Sequence, residues 1–534
     1  MKDQRKTASQ VFSPILRRVS LAAWILRITP IPFGLLTARL SADLVAAAVD
    51  GGVSDVVRTG GTLLAVIFGL RLFDVLTGIA YDRASSAALH RCKMELYRRF
   101  LACPLHVLYA TEHGKAVESL NEEFSTVTGK HTNLYPGFFT GLLTTAAYLV
   151  YLLTQNVPSA LVLLAFSLIQ MVPPMIVKRY MQQNYDNYQD IEAECTDRTM
   201  ETYYGFAEIK MYGLKQWWID RMAAFHKEYL RVSSRAEVTW RIQDSMDAFV
   251  ENLLKYGTYG VLGAFVLTGV TTMDTAVAAI ALSGGLFGAV KGIFSAIPDF
   301  AVAKTAEERM SGWFEESAKP AKSLRDGTIT LDHVSLAYEE RKILDDVSAV
   351  IPTDGRKGGK AVLLHGANGI GKSTLFRLFT GLMEPDSGTV TVGGVSPDDL
   401  RYPDGVFYLP QWDAAFGFTA AELYEMALTP ERAAKAVGYA RGFGLTDDLL
   451  GQKIGTLSGG ERKKVFLSLG FASGAALMLL DEPTNSLDDA SRVLLCELLN
   501  ERGGGAVVIT HDRIFDRIQT DKYIVANGGI THER

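Results

Sequence analysis

Six apolar stretches, each of about twenty residues or more and all before residue 300, constrain this chain more than any other feature. Crossing the hydrocarbon core of a bilayer takes about 20 helical residues, because irregular backbone in lipid leaves polar groups unpaired. The sequence predicts spans near residues 21–49, 59–82, 134–155, 157–179, 249–270 and 272–297. They pair into three hairpins with short turns at 50–58, 155–158 and 269–274, whereas residues 83–130 and 180–248 are long, charged and helix-compatible. Residues 83–130 carry seven Lys and Arg and residues 178–248 carry ten, against Arg58 alone in the three short turns. Positive charge marks the cytoplasmic side, so both termini and the long connections are expected there. Helical continuation for about 30 residues past a span reaches about 45 Å, enough to meet a soluble domain below the bilayer.

Composition divides at about residue 315. A hydrophobic content of 48% and a mean hydropathy of +0.11 average an apolar first part with a mixed soluble remainder. The expected organisation is an N-terminal elbow segment over 1–20 and a six-helix membrane domain over 21–315. A linker over 316–326 and an α/β domain over 327–534 follow. The net charge of -5 gives no footprint for nucleic acid, and none is expected as a partner. Cys92, Cys103, Cys195 and Cys496 are scattered and read as reduced apolar residues. The polar start, to about Ser13, does not resemble a cleavable signal peptide.

In the second part, the apolar run 361–364 precedes G-A-N-G-I-G-K-S at 366–373 and then a helical pattern. This is a phosphate-binding loop in its strand-to-helix setting. Gly366, Asn368, Gly369 and Gly371 would bring backbone N–H groups round the phosphates of a nucleotide, at a helix N-terminus that favours anions, and this loop alone does not separate a kinase, a GTPase and a transporter. Lys372 would reach the β and γ phosphates, Ser373 would ligate Mg2+, and Thr374 completes the loop. The strand 477–480 ends in Asp481, suited to holding Mg2+ through water, and Glu482 follows where it can polarise an attacking water. His511 after the strand 506–510 fits a γ-phosphate sensor. Gln411 after the strand 406–409 could link Mg2+ to the membrane part.

L-S-G-G-E at 457–461 has no obvious task within one subunit. Facing a nucleotide held by another copy, Ser458, Gly459 and Gly460 would form an anion site at a helix start. In the order phosphate loop, Gln411, 457–461, Asp481-Glu482, N-S-L-D at 485–488 and His511, the sequence resembles the ATP-binding cassette family over nearly all of 325–534. Tyr338 sits where that family stacks an aromatic ring on adenine, although a strand residue could equally be core. The chain departs from the commoner pattern at Glu461, Lys463-Lys464 and Asn485. In the first part, F-L-A-C-P-L-H at 100–106, Gly114-Lys115, E-S-L-N-E-E at 118–123 and G-F-A-E-I-K-M-Y-G at 205–213 resemble the coupling turns of the exporter fold. The second of these turns docks, in that fold, on the partner's cassette.

The resemblance implies an α-helical six-span membrane domain of the exporter type followed by an α/β P-loop ATP-binding cassette domain. It implies a half-transporter with ATP and Mg2+ as cofactors, working as a homodimer or heterodimer in the bacterial inner membrane with its ATPase domain in the cytoplasm. ATP sandwiched between two subunits would drive alternating access, and Glu482 would reset it by hydrolysis. Charges inside spans are costly and tend to face protein or water-filled cavities. Arg39 with Asp43, and Arg71 with Asp74, fall near mid-bilayer at helical spacing. They read either as internal salt bridges or as a polar cavity for a charged or amphiphilic solute. Export of a peptide, lipid-like or drug-like amphiphile is the expected activity; import of a siderophore on the same fold, and a non-transporting sensor, remain alternatives.

Overall fold

The structure is a computed structural model. It describes residues 7–111, 116, 119–311, 322, 324, 326–338, 341–353, 361–367, 369–411, 414–502, 505–518, 520–526 and 528–533. The side chains of Asp50, Ala110, 173–182, Tyr185, Asp186, Gln189, Ala193, Tyr338 and Arg341 lie outside that description, as do Gly114, Lys115, Asn368 and most of the expected linker. The chain divides into two compact units, Met1–Tyr97 with Glu118–Gly312, and Arg98–Val117 with Trp313–Arg534. The first expected coupling turn therefore belongs with the cassette.

The first unit is helical. Helix α1 (Ala8–Ile28) starts on a capping box in which Thr7 and Gln10 each accept the other's backbone N–H. Pro30 opens α2 (Pro30–Asp50), and two glycines separate it from α3 (Val53–Ala102), 50 residues that run on without a break into the charged inner stretch. After α4 (Leu105–Ala110) come α5 (Phe124–Gly129), with π-helical turns at Ser119–Glu123 and Lys130–Leu134, and α6 (Tyr135–Gln155). Then follow α7 (Val157–Ile169), α8 (Val172–Tyr204), α9 (Phe206–Met211), α10 (Lys215–Leu267) and α11 (Met273–Ser311).

Four helical segments are long and apolar enough to cross a membrane by length and composition: Ala8–Val49, Val53–Ala102, Ser119–Gln155 and Met273–Ser311. The expected fourth span is divided. Helix α7 has 13 residues, and α8 restarts with prolines in its first turn. A proline cannot continue the i to i−4 ladder, but in a first turn its missing N–H has no partner to lose. The expected fifth span is the end of α10, where Glu251, Asn252 and Lys255 dilute the apolar run. The core of the unit lies where α11 packs on α2 and α6, through Ala38, Ala42, Leu152, Ala279, Leu282 and Leu286. Residues 53–82 of α3 include none that is buried.

The second unit holds two sheets. β1 (Ile329–Tyr338), β2 (Arg341–Ile351) and β4 (Ser387–Val392) form an antiparallel sheet in the order β2-β1-β4. The larger sheet is ordered β5-β6-β7-β3-β8-β9, from β3 (Ala361–His365), β5 (Val406–Leu409), β6 (Leu477–Asp481), β7 (Gly505–Ile509), β8 (Thr520–Ala526) and β9 (Gly529–Glu533). All its neighbours are parallel except β8 and β9. Every residue of β6 and β7 is buried, as a parallel sheet covered on both faces requires. Leu363, Leu480 and Val508 point to one apolar cluster, and Leu364, Leu479 and Ile509 to the other. Each such side chain contributes about 1.5–3 kcal/mol by leaving water. The helices are α12 (Lys372–Phe379), α13 (Ala420–Ala427), α14 (Pro430–Gly442), α15 (Asp447–Leu450), α16 (Gly459–Ser473) and α17 (Asp489–Glu501). Register sets Ile509 beside both Leu364 and Asp481, so the C-terminal ends of β3, β6 and β7 open on one crevice.

Candidate active site

The crevice begins with the turn from β3 to α12. Gly371 has φ +108, and a Cβ there would lie 2.3 Å from Ile343 Cγ2, so both backbone and packing require glycine. Lys372, 8% exposed, donates from Nζ to the carbonyls of Gly366 at 2.7 Å and Ala367 at 3.1 Å. Burial lowers its pKa, and Glu482 and Asp481 oppose that shift.

Asp481, the buried last residue of β6, has its pKa raised by burial and opposed chiefly by a hydrogen bond from Ser373. Glu482 takes φ +46, a left-handed conformation costly for a side-chain-bearing residue, while its N–H donates to the carbonyl of Ile509 at 2.9 Å. The strand pairing thus fixes the strained turn that swings the carboxyl out of the sheet. Burial raises the pKa of Glu482 too, against the opposing pull of His511, whose Nε2 lies 3.7 Å from Oε1. A carboxylate raised in this way is a stronger base for water.

A cavity of about 540 Å³ brings together Gly369, Gly371, Lys372, Ser373, Thr374, Gln411, Asp481, Glu482 and His511. Sequence reasoning gave Ile343 no part in this site and read Asn485 as a family variation, yet both line the cavity. Pairing of β1 and β2 was the missing information for Ile343. Gly366 serves as an acceptor for Lys372, Asn368 is outside the described residues, and Tyr338 is described as a β1 backbone position alone. Ser373 and Asp481, a hydroxyl and a carboxylate lining the same cavity, form the hard oxygen donor set that suits Mg2+.

The 457–461 motif is not idle within one subunit, contrary to its sequence reading. Ser458 is the N-cap of α16: Ser458 Oγ accepts from the Glu461 N–H at 3.3 Å, and Glu461 Oε2 accepts from the Ser458 N–H at 2.8 Å. The Ser458 hydroxyl also donates to Glu461 Oε2 at 2.7 Å, and this bond, with the one from the Ser458 N–H, holds the Glu461 carboxyl below the usual range. S-x-x-E was visible in the sequence as a capping box. A Cβ on Gly460 would stand 2.4 Å from the Ser486 carbonyl oxygen, whereas one on Gly459 would meet nothing within 4 Å. Lys463 Nζ donates to the Glu482 carbonyl at 3.3 Å, and Lys464 pairs with Asp488, the N-cap of α17. The departures at 463 and 464 therefore bind the start of α16 to the 482–488 turn, and the one at 461 closes the cap on Ser458.

Leu105–Ala110 of the coupling region packs on the cassette surface of its own unit. His106 Nδ1 lies 3.1 Å from Asp398 Oδ1 and its Nε2 lies 3.4 Å from Glu384 Oε1. The Arg377 guanidinium sits 5.3 Å from the Tyr109 ring centroid, and Arg377 belongs to α12, the helix that starts at Lys372. In the membrane unit Arg39 and Asp43 are both exposed, and no ion pair joins them among the described residues. Arg71 and Asp74 approach to 3.8 Å at the edge of pairing distance, with the arginine side chain 82% exposed. None of the four lines the ATP-site cavity or the cavity beside Arg27.

Comparison with known proteins follows this division. The family model described as ABC transporter transmembrane region matches residues 20–290, and the one described as ABC transporter matches 355–485. The energy-dependent translational throttle protein EttA of Escherichia coli K12 is 36% identical over 209 residues, 38% of this chain and 35% of that protein. The tylosin resistance ATP-binding protein TlrC of Streptomyces fradiae is 34% identical over 241 residues, 38% of this chain and 43% of that protein. The match thus spans less than half the length of these curated relatives. A bacterial Atm1-family ABC exporter with ATP bound shares the fold at TM-score 0.81 and 17% identity, over 97% of this chain and 95% of that one.

Proposed function

The chain belongs to the ABC transporter family, and on that premise we propose that it couples ATP hydrolysis to movement of a solute across a membrane. It does so paired with a second copy of itself or a like half-transporter. One observation carries the reading: a single cavity joins a phosphate loop, a buried acid for Mg2+ and a strained, basic carboxylate. Lys372 and the 369–374 backbone hold the β and γ phosphates of ATP. Ser373, Asp481 and Gln411 would hold Mg2+, which would supply positive charge beside the phosphates. Glu482 takes a proton from the attacking water, and His511 orients the Glu482 carboxylate and senses the γ-phosphate. The family resemblance assigns Tyr338 and Asn368 to nucleotide binding.

Pairing rests on a different observation. No residue from 53 to 82 is buried, yet this stretch carries Arg71 and Asp74. An arginine facing lipid at mid-bilayer costs at least about 2.5–3.5 kcal/mol, so α3 needs a protein or water-lined neighbour that its own unit does not provide. A second subunit supplies it, and Ser458, Gly459 and Gly460 then close over the partner's phosphates. The link from α12 through Arg377 and Tyr109 to α4 carries cassette movement towards the membrane helices. The solute is a peptide, lipid-like or drug-like amphiphile, and likeness of fold to an Atm1-family exporter favours export, from the cytoplasm across a bacterial inner membrane.

The reading is tested with Glu482→Gln in proteoliposomes. The variant is expected to bind ATP as the unmodified chain does and to hydrolyse it at least about 100-fold more slowly, as loss of a general base predicts. Near-normal turnover in that variant overturns the assignment.

A further inference from the structure

Besides the ATP crevice, the membrane unit contains a cavity of about 570 Å³ between α1, the π-helical turn at Lys130–Leu134, the start of α6 and the inner part of α11. Its wall carries Arg27, Lys130 and Asp299. Lys130 is already taken by Glu307 at 2.8 Å, both side chains being largely covered. Arg27 and Asp299 are exposed, and neither has an ion-pair partner among the described residues. Arg27 Nη2 donates to Asn133 Oδ1 at 3.0 Å, which orients the guanidinium and leaves its other N–H groups to donate elsewhere.

Backbone choices keep this space open. A π-helical turn widens the helix by one residue, and such turns concentrate at functional positions. Here the widened turn supplies Lys130 and Asn133. A Cβ on Gly137 would come 3.0 Å from Arg27 Nη1, so glycine makes room for the guanidinium, while a Cβ on Gly292 would meet nothing within 4 Å. Phe138 adds an aromatic wall braced edge-on by Phe139 and Phe300.

We propose that this cavity is a solute subsite for a zwitterion of peptide type, with Arg27 taking the carboxylate, Asp299 the ammonium and Phe138 an apolar side chain. A cation and an anion without ion-pair partners among the described residues, lining one cavity with an aromatic face, match a molecule carrying both charges, whereas a lipid chain or a neutral drug would leave both side-chain charges unmet. The inference rests on the transporter reading above and narrows its solute class. It also moves the solute contacts away from Arg39, Asp43, Arg71 and Asp74, none of which lines this cavity.

The test uses the full-length chain in lipid nanodiscs and equilibrium dialysis of radiolabelled Ala-Phe-Ala, its C-terminal amide and its N-acetyl form. The unmodified chain is expected to bind the free tripeptide at least about tenfold more tightly than either blocked form, the worth of one charged hydrogen bond. Arg27→Gln should erase the penalty for amidation and keep that for acetylation, Asp299→Asn should do the reverse, and Arg27→Lys should keep both. Gly292→Leu, which fills the cavity, should weaken all three alike. Absence of saturable binding, or loss of either end-group preference in the unmodified chain, overturns the proposal, and that comparison needs no variant to fold. Retention of both preferences in Arg27→Gln and Asp299→Asn overturns it as well. ATPase activity sensitive to Glu482→Gln, measured in the same nanodiscs, separates the cases: lost, the transporter reading fails; present without end-group preference, this inference alone fails.

Discussion

Replacing Gly460 by alanine tests whether the 457–461 motif is a structural part of its own subunit. The added Cβ would lie 2.4 Å from the Ser486 carbonyl oxygen, far inside van der Waals contact. Neither neighbour gives way easily. Ser486 holds φ +68 in the turn behind Glu482, and the start of α16 is fixed by the Ser458–Glu461 capping box. Overpacking of this kind costs about 1–3 kcal/mol, and the better helix propensity of alanine returns at most about 1 kcal/mol. The net loss, up to about 2 kcal/mol after the full propensity gain is subtracted, corresponds to a fall in Tm of up to about 8 °C for a domain of some 200 residues. Gly459→Ala is the control, since its Cβ meets nothing within 4 Å and the propensity gain stands alone. Calorimetry of the full chain in detergent, with hydrogen exchange over residues 484–488, reads both variants. Equal Tm values and equal exchange would refute the close approach of α16 to this turn.

Asp481→Asn should stabilise the nucleotide-free chain at neutral pH while abolishing ATP hydrolysis. Burial raises the Asp481 pKa above its unfolded value, so this group's stability is fully present below the unfolded pKa and lost as pH rises through the folded one. The gain in Tm should therefore shrink as pH falls towards 4, and a gain independent of pH would contradict the assignment of cause. His106→Ala should cut solute transport severalfold at little cost in stability, since exposed ion pairs contribute about 0–1 kcal/mol. Transport per ATP hydrolysed, measured in proteoliposomes, checks it; an unchanged ratio would remove His106 from coupling.

The ATP site was legible because its chemistry is local. A strand, a glycine-rich turn and a helix are consecutive in the sequence, so the 366–374 loop could be recognised before any packing was known. Asp481-Glu482 was equally plain at the end of an apolar run. The left-handed backbone at Glu482 was not, because it depends on the β6–β7 pairing that captures its N–H. The 457–461 motif was legible only in part: the resemblance supplied a role facing a partner, while the capping-box spacing Ser458 to Glu461, also present in the sequence, describes a task within the subunit. A separate argument for a second subunit comes from α3, none of whose residues from 53 to 82 is fully buried. Spacing of Arg39 and Asp43 suggested a pair, but i,i+4 neighbours on an exposed face need not meet. The π-helical turn that shapes the Arg27 cavity has no sequence signature, since a one-residue widening leaves hydrophobic periodicity nearly intact.

The claim that most needs testing is that each ATP is held between Lys372 of one subunit and Ser458 of its partner. Lys372→Ala and Ser458→Arg should each abolish hydrolysis when reconstituted alone. Mixed as equal amounts of unfolded or dissociated subunits and reassembled, random pairing gives half mixed dimers, each with one intact site, so about a quarter of the unmodified ATPase rate should return. A mixture that stays at the sum of its two inactive components would contradict the shared site.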